Sequence, residues 1–215
     1  MANTNGAYGL RPISMQGAVP NSTGLSEYRI AAGNTNKLFQ GQAVIPLATG
    51  VIDDLQAAAG GTVSIVGVFW GCEFVSSSTG KMTWSNTWPG SGADTTYPVK
   101  AFLYDSPNQL FSIATSNVVA GYNTEAEVRT AVFSNIALAA GNSGTDSTGI
   151  SSGTADLNTV ANTAALALRV MGIQDDVDNE DFTVAGIPLI VRINNHFNAP
   201  TGSVAQGTVS TIALA

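Results

Sequence analysis

A chain of 215 residues, with charged side chains at only 11% of positions and a net charge of −7, is long enough for one large or two small domains. Its eight Lys and Arg are scattered singly, so the clustered basic face that a nucleic-acid partner requires is not written in the sequence. No apolar run reaches membrane-spanning length, and the first residues lack a basic and apolar leader pattern. The expectation is one β-rich body, made and folded in a cytoplasm, without nucleic-acid or membrane partners.

Residues 1–25 read as an extended N-terminal arm. They are rich in Asn, Gly, Ser and Pro, and Pro12 favours extended backbone at Arg11. Tyr8, Leu10 and Ile13 are the apolar anchors within it. Stretched out, the arm would reach about 80 Å, far enough to lie across a neighbour, and a body lacking residues 1–20 is expected to stay folded. Residues 26–215 read as a single β-rich domain. From Glu27 the segments EYRIA, GQAVIPLATG and VIDDLQA are short strands separated by turns, with Pro46 at an edge or a bulge. The intervals are too short for crossover helices, which selects a barrel or sandwich over a parallel α/β sheet.

Ile65 to Pro89 carries the densest apolar, aromatic and turn chemistry and reads as the central hairpin. Strict alternation puts Val66, Val68, Trp70 and Cys72 on one face and Ile65, Gly67, Phe69, Gly71 and Glu73 on the other. Ser76 to Gly80 is the turn, and the return segment runs through Met82 and Trp84. Cys72 is the only cysteine, so no internal disulfide forms, and it reads as a small buried apolar residue. Val99 to Tyr104 and Leu110 to Ala114 form a second hairpin about the turn Asp105-Ser106-Pro107-Asn108, which Asp105 caps or braces.

Thr124, three residues before Glu127, has capping-box spacing and opens a short helix. Residues 141–156, GNSGTDSTGISSGTAD, read as a long loop, either an exposed connection or an interaction loop. AALALRV (164–170) returns the chain to the sheet. The acidic stretch Asp175 to Asp181 raises calcium, but counted from Asp176 the sixth position is Asp181 instead of Gly and the twelfth is Ile187 instead of Glu, so a solvated acidic turn is expected. IPLIVRINNHF and the C-terminal GTVSTIALA read as closing strands. His196, the single histidine, has no partners in sequence for a metal site or a triad and reads as a hydrogen-bonding structural residue. The class is therefore all-β and mainly antiparallel, a barrel or sandwich with an N-terminal arm, a long Gly/Ser/Thr loop and at most one or two short helices. No cofactor, metal or catalytic constellation is recognisable.

Taken in order, GLRPI, GVFWGCEF, SNTWP, YDSPNQLFSI and VRINNH resemble a family of tailed-bacteriophage virion proteins, found in marine phages, that act as capsid cement or decoration proteins. The resemblance runs over most of the chain. It implies a structural, non-enzymatic protein on the capsid exterior that binds the phage major capsid protein and assembles as a homo-oligomer, a trimer being favoured. Under that implication Tyr8, Leu10, Arg11, Pro12 and Ile13 are the expected capsid-binding set. The alternative from another class is a carbohydrate-binding or host-adhesive β domain, with Trp70, Trp84 and Trp88 as a stacking platform. A glycosidase would require two carboxylates in a cleft, which the sequence does not display. A major capsid protein is disfavoured by the short chain and the missing long helix.

Overall fold

Alternation of apolar with small or polar residues makes most of this chain extended backbone. The computed structural model describes residues 3–17, 24–55, 64–117, 119–139 and 143–199. The first strand, β1 (Arg11–Met15), is followed by β2 (Ser26–Ile30), β3 (Leu38–Phe39), β4 (Gln42–Pro46), β5 (Ile52–Asp54), β6 (Gly67–Val75), β7 (Met82–Ser85), β8 (Thr87–Trp88) and β9 (Val99–Tyr104). After β10 (Gln109–Ala114) come the helix α1 (Glu125–Thr130) and β11 (Asn135–Leu138), then β12 (Gly144–Thr145), β13 (Ile150–Ser151), β14 (Ala155–Ala161), β15 (Leu168–Ile173) and β16 (Pro188–Ile193). The protein is all-β and mainly antiparallel, and α1 is the only α-helix among the described residues.

Five strands close into a small barrel in the order β4-β5-β2-β9-β6, sealed by β4 pairing with β6, and β7 extends the sheet beyond β6. All pairings in it are antiparallel except β2 with β5, which run parallel through Ile30 and Ile52. A barrel this narrow is filled by its own side chains. Ile30, Val44, Ile52, Val66, Phe69, Cys72, Phe74, Val99, Ala101 and Leu103 do so, and Leu38 and Trp88 join the same core. These last two pair across the β3–β8 ladder. Trp88 is fully buried, packs edge-on to Phe74 at 5.5 Å and donates from Nε1 to the Asn34 carbonyl. At Gly67 the backbone approach is so tight that a Cβ would stand 2.5 Å from the Tyr104 carbonyl oxygen, which leaves room for glycine alone.

The second sheet runs β1-β10-β16-β15-β11-β14 and lays its inner face on the barrel wall. Phe111, Ile113, Leu168, Val170, Leu189 and Val191 meet Ala43, Ile65 and Val68 in one continuous core. The expected two faces of the central hairpin are therefore redistributed. Phe69 pairs with Leu103 and Gly71 with Phe102, so Trp70 is an extra residue that resets the alternation. Val68 and Ile65 face the second sheet, whereas Val66, Phe69, Cys72 and Phe74 fill the barrel. Trp70 is left half-buried against Tyr104, with ring centroids 5.3 Å apart.

In place of an arm reaching away from the body, residues 3–17 run along their own chain. β1 pairs with β10, Leu10 enters the core at 1% exposure, and the backbone of Gly9 and Leu10 donates to the carbonyls of Gly153 and Gly41. The Gly/Ser/Thr stretch is likewise structured where it is described. β12 and β13 form a hairpin that reaches back to the barrel, with Gln40 N–H donating to Gly149 O, Ser151 N–H to Gln40 O, and Lys37 paired with Asp146. Its small residues are a packing requirement, since a Cβ on Gly144 would lie 2.3 Å from the Phe39 ring and 2.6 Å from the Ile150 carbonyl. The expected cap forms as read: Thr124 accepts from Glu127 N–H, and the Glu127 carboxylate accepts from Asn123 N–H. The C-terminal strand expected over 207–215 lies outside the described residues.

Because Gly144 has no room for a methyl group, Gly144→Ala should destabilise the protein by about 1–3 kcal/mol. Gly33, whose Cβ would meet nothing within 4 Å, is the control and should leave stability nearly unchanged. Urea unfolding midpoints of the two variants check this; equal midpoints would remove the packing argument for the clasp.

Candidate interaction surface

Alternation on β7 points Met82 and Trp84 outward, and the same outer side of the barrel receives Phe102 from β9. Trp84 is 68% exposed and stacks nearly parallel on Phe102, at 5.4 Å and 15°. Met82 is 56% exposed. Leu25, Trp70, Trp84 and Phe102 line a shallow groove of about 430 Å³ whose remaining wall is Gly71, Cys72, Ser85 and Asn86. Gly71 pairs opposite Phe102 and has no side chain to fill the space. Exposed side by side, an indole and a phenyl ring form an apolar patch, which makes this face the candidate interaction surface.

Of the three candidate platform tryptophans, Trp70, which its alternation with Val66 and Val68 assigns to the core, is half-buried at the groove with Trp84, and Trp88 lies in the barrel core. The expected capsid-binding set is divided too. Leu10 is buried; Tyr8 is half-buried, donating or accepting at Ser112 Oγ over 2.8 Å beneath the Arg11 guanidinium; Pro12 is partly covered; Arg11 and Ile13 remain exposed. Burial raises the Tyr8 pKa, partly offset by the Ser112 bond and Arg11.

Cys72, Asp105 and the acidic stretch each make packing or hydrogen-bonding contacts within the fold. Cys72 is buried in the barrel, its thiol pushed up to about 12 by that burial, and Sγ faces the Thr87 carbonyl. In place of the expected cap or brace within its own turn, the Asp105 carboxylate accepts from Ser26 Oγ and Tyr28 Oη of β2 at 2.8 Å each, tying the turn to that strand, and Ser106 supplies the bonds within the turn. In the acidic stretch, Asp176 caps a 3-10 turn over Val177–Asn179, and Asn179 Oδ1 accepts from the backbone N–H groups of Thr4 and Asn5. Asn3 completes the latch by donating to the Asp181 and Ala185 carbonyls. The turn that resembled a calcium loop is thus a dock for residues 3–5, the segment ahead of β1. Among the described residues no three His, Cys, Asp or Glu converge as metal ligands.

His196 lies where the chain leaves β16 and bridges to Ile65. Its Nδ1 accepts from Asn198 N–H at 3.0 Å, so the neutral ring carries its proton on Nε2, which is buried without a partner. Burial lowers the pKa to about 4, against a smaller raising effect of Asp105. Comparison with protein-family models, with curated proteins and with solved structures returns no match for this chain.

Two outcomes are expected. Leu10→Ala should cost about 2–5 kcal/mol, whereas Ile13→Ala should be nearly silent in thermal unfolding; a silent Leu10→Ala would mean that the N-terminal strand is not part of the core. For His196 the folded pKa lies below the unfolded value, so its contribution is complete above about pH 6.5 and is lost as pH falls towards about 4, by up to about 3 kcal/mol. His196→Gln keeps an acceptor for Asn198 and should flatten stability between pH 7 and pH 5; identical slopes for the two proteins would contradict the assignment.

Proposed function

We propose that this chain is a virion structural protein that binds the outer surface of a phage head and stabilises the capsid lattice, a cement or decoration protein. The observation that carries the reading is the apolar face on a closed barrel where exposed Trp84 stacks on half-buried Phe102, with Trp70 and Leu25 beside them. Such a face suits a permanent protein contact: it is preformed, little side-chain freedom is lost on binding, and burial of its rings is only weakly dependent on salt. The sequence resemblance supports the same conclusion. Its segments coincide with the interlocking parts of the fold, namely β1, β6, the run from β7 to β8, the β9–β10 turn and the end of β16.

On this proposal the partner is the phage major capsid protein, and the site of action is the capsid exterior. Stabilisation follows from mass action: a subunit that binds only the mature shell lowers the free energy of that state. A homotrimer would link several weak contacts into one strong one. The role is structural and not enzymatic. Of the expected binding set, Arg11 and Ile13 are the members exposed for a contact, with Pro12 beside them.

Exposure of Trp84 also supports the second reading, a carbohydrate-binding or adhesive domain. The groove wall favours the first reading. A sugar site needs free hydrogen-bonding groups around its stacking ring, whereas here Leu25, Trp70 and Phe102 surround Trp84, and the Asn86 amide is committed to the Thr148 carbonyl. An apolar protein surface fits better.

The test is co-sedimentation of the purified protein with expanded, empty phage heads, followed by imaging. Wild type should decorate repeated symmetry positions and stay bound in high salt, and Trp84→Ala, which leaves the core intact, should lose at least about tenfold in occupancy. Absence of density on every head, combined with binding on a glycan array, would transfer the assignment to the adhesive reading.

A further inference from the structure

The outer face of the second sheet carries an arrangement that the hydrophobic cores do not use. Phe111, Val170 and Val191 point inward, so their neighbours Leu110, Arg169 and Arg192 point outward. Register then places these in one row across four strands: Leu110 opposite Arg192, Arg192 opposite Arg169, and Arg169 opposite Asn135. The adjoining row on the same face runs from Arg11 through Ser112 and Ile190 to Gly172. Three of the eight basic residues of an acidic chain thus share one face.

Two like charges directly opposite each other on adjacent strands destabilise a sheet. Proteins ordinarily relieve such a pair with a carboxylate, and this chain has 15 to offer. None is used. The ion pairs among the described residues are Lys37–Asp146, Lys100–Glu27 and Arg129–Glu125. Arg169 Nε donates to the neutral amide oxygen of Asn135, and Arg192 Nη1 to that of Gln16. Arg192 Nε is buried with no acceptor at all. Burial, and secondarily the neighbouring Arg169 cation, lowers the Arg192 pKa.

We infer that Arg169 and Arg192 form a carboxylate-binding pair, which receives an Asp or Glu side chain from an acidic polypeptide segment laid across the outer face of this sheet. Each planar guanidinium carries a fork of N–H donors that matches the two oxygens of a carboxylate, and the register sets the two residues directly opposite each other on adjacent strands. The flanking row positions are apolar, Leu110 beside Arg192 and Ile190 two residues before it, and both are only partly buried. An extended segment alternating an acidic with an apolar residue would satisfy charge and surface together. A nucleic-acid strand would instead need several cations along its path, and beyond Arg192, Arg169 and Arg11 the two rows continue into Ser112, Ile190, Leu110 and Asn135. This inference stands apart from the virion reading, since it concerns a different face and depends only on the chemistry of the partner.

The test uses the full chain and three labelled probes followed by fluorescence anisotropy: a short peptide of alternating glutamate and valine, its glutamine counterpart, and a single-stranded oligothymidine. The glutamate peptide should bind with an affinity that falls as salt rises, and the other two should not. Arg169→Gln and Arg192→Gln should each weaken binding at least about tenfold, with Arg169→Lys and Arg192→Lys intermediate because the charge stays while the fork is lost. The lysine variants keep the test valid if a neutral variant fails to fold. Equal binding of the glutamate and glutamine peptides, no binding of either, tighter binding of the oligothymidine, or wild-type affinity in all the arginine variants would overturn the inference.

Discussion

Strand β6 is the constraint on which the rest of the molecule depends, because it is the wall shared by two hydrophobic cores. Val68 turns towards the second sheet and Phe69 into the barrel, and the residue inserted at Trp70 changes the phase so that Cys72 and Phe74 also fill the barrel. Without that extra residue the alternation would carry Cys72 and Phe74 out of the barrel and bring Glu73 in, burying a carboxylate among Trp88, Val99 and Ala101. The same insertion leaves the Trp70 ring on the rim of the outer groove. Core geometry and surface chemistry are therefore set by one irregularity.

Around this wall the chain holds itself together with small residues and backbone hydrogen bonds in place of charge. The N-terminal strand is latched by Asn3 and Asn179, the β12–β13 hairpin clasps the barrel through Gln40, and the barrel closes at Gly67. This explains how 11% charged residues suffice for a folded body: close backbone approach replaces the long polar side chains that usually cover a surface.

What could be read in the sequence was what depends on neighbours in sequence. The Thr124 cap and the two strands on either side of the 105–108 turn are local, and the structure shows them where the residue pattern put them, whereas the Asp105 carboxylate reaches across to β2. The all-β class followed from short alternating runs. The bulge at Trp70 was not legible, because an inserted residue has no composition of its own. Nor was the fate of Leu10, whose burial depends on β10, or of the Gly/Ser/Thr stretch, where small residues signal close contact as readily as freedom. Of the candidate site, Trp84 was visible as a tryptophan and its exposure was not. The Arg169–Arg192 pairing required the register of β15 against β16, two strands that sequence spacing alone leaves unrelated.

Strand order carries a further consequence, for the sequence of events during synthesis. All the strands of the barrel come from residues 26–104, a contiguous stretch, so the barrel can close while the rest of the chain is still unmade. The second sheet has the opposite character. Its central strand β16 ends at Ile193, and β1 must find β10 across the whole intervening barrel. Until β16 inserts between β10 and β15, both of those strands present unpaired edges and an apolar face. Among the described residues β16 is the last strand in the chain, so the sheet that has the unpaired edges is completed by the strand made after all its partners.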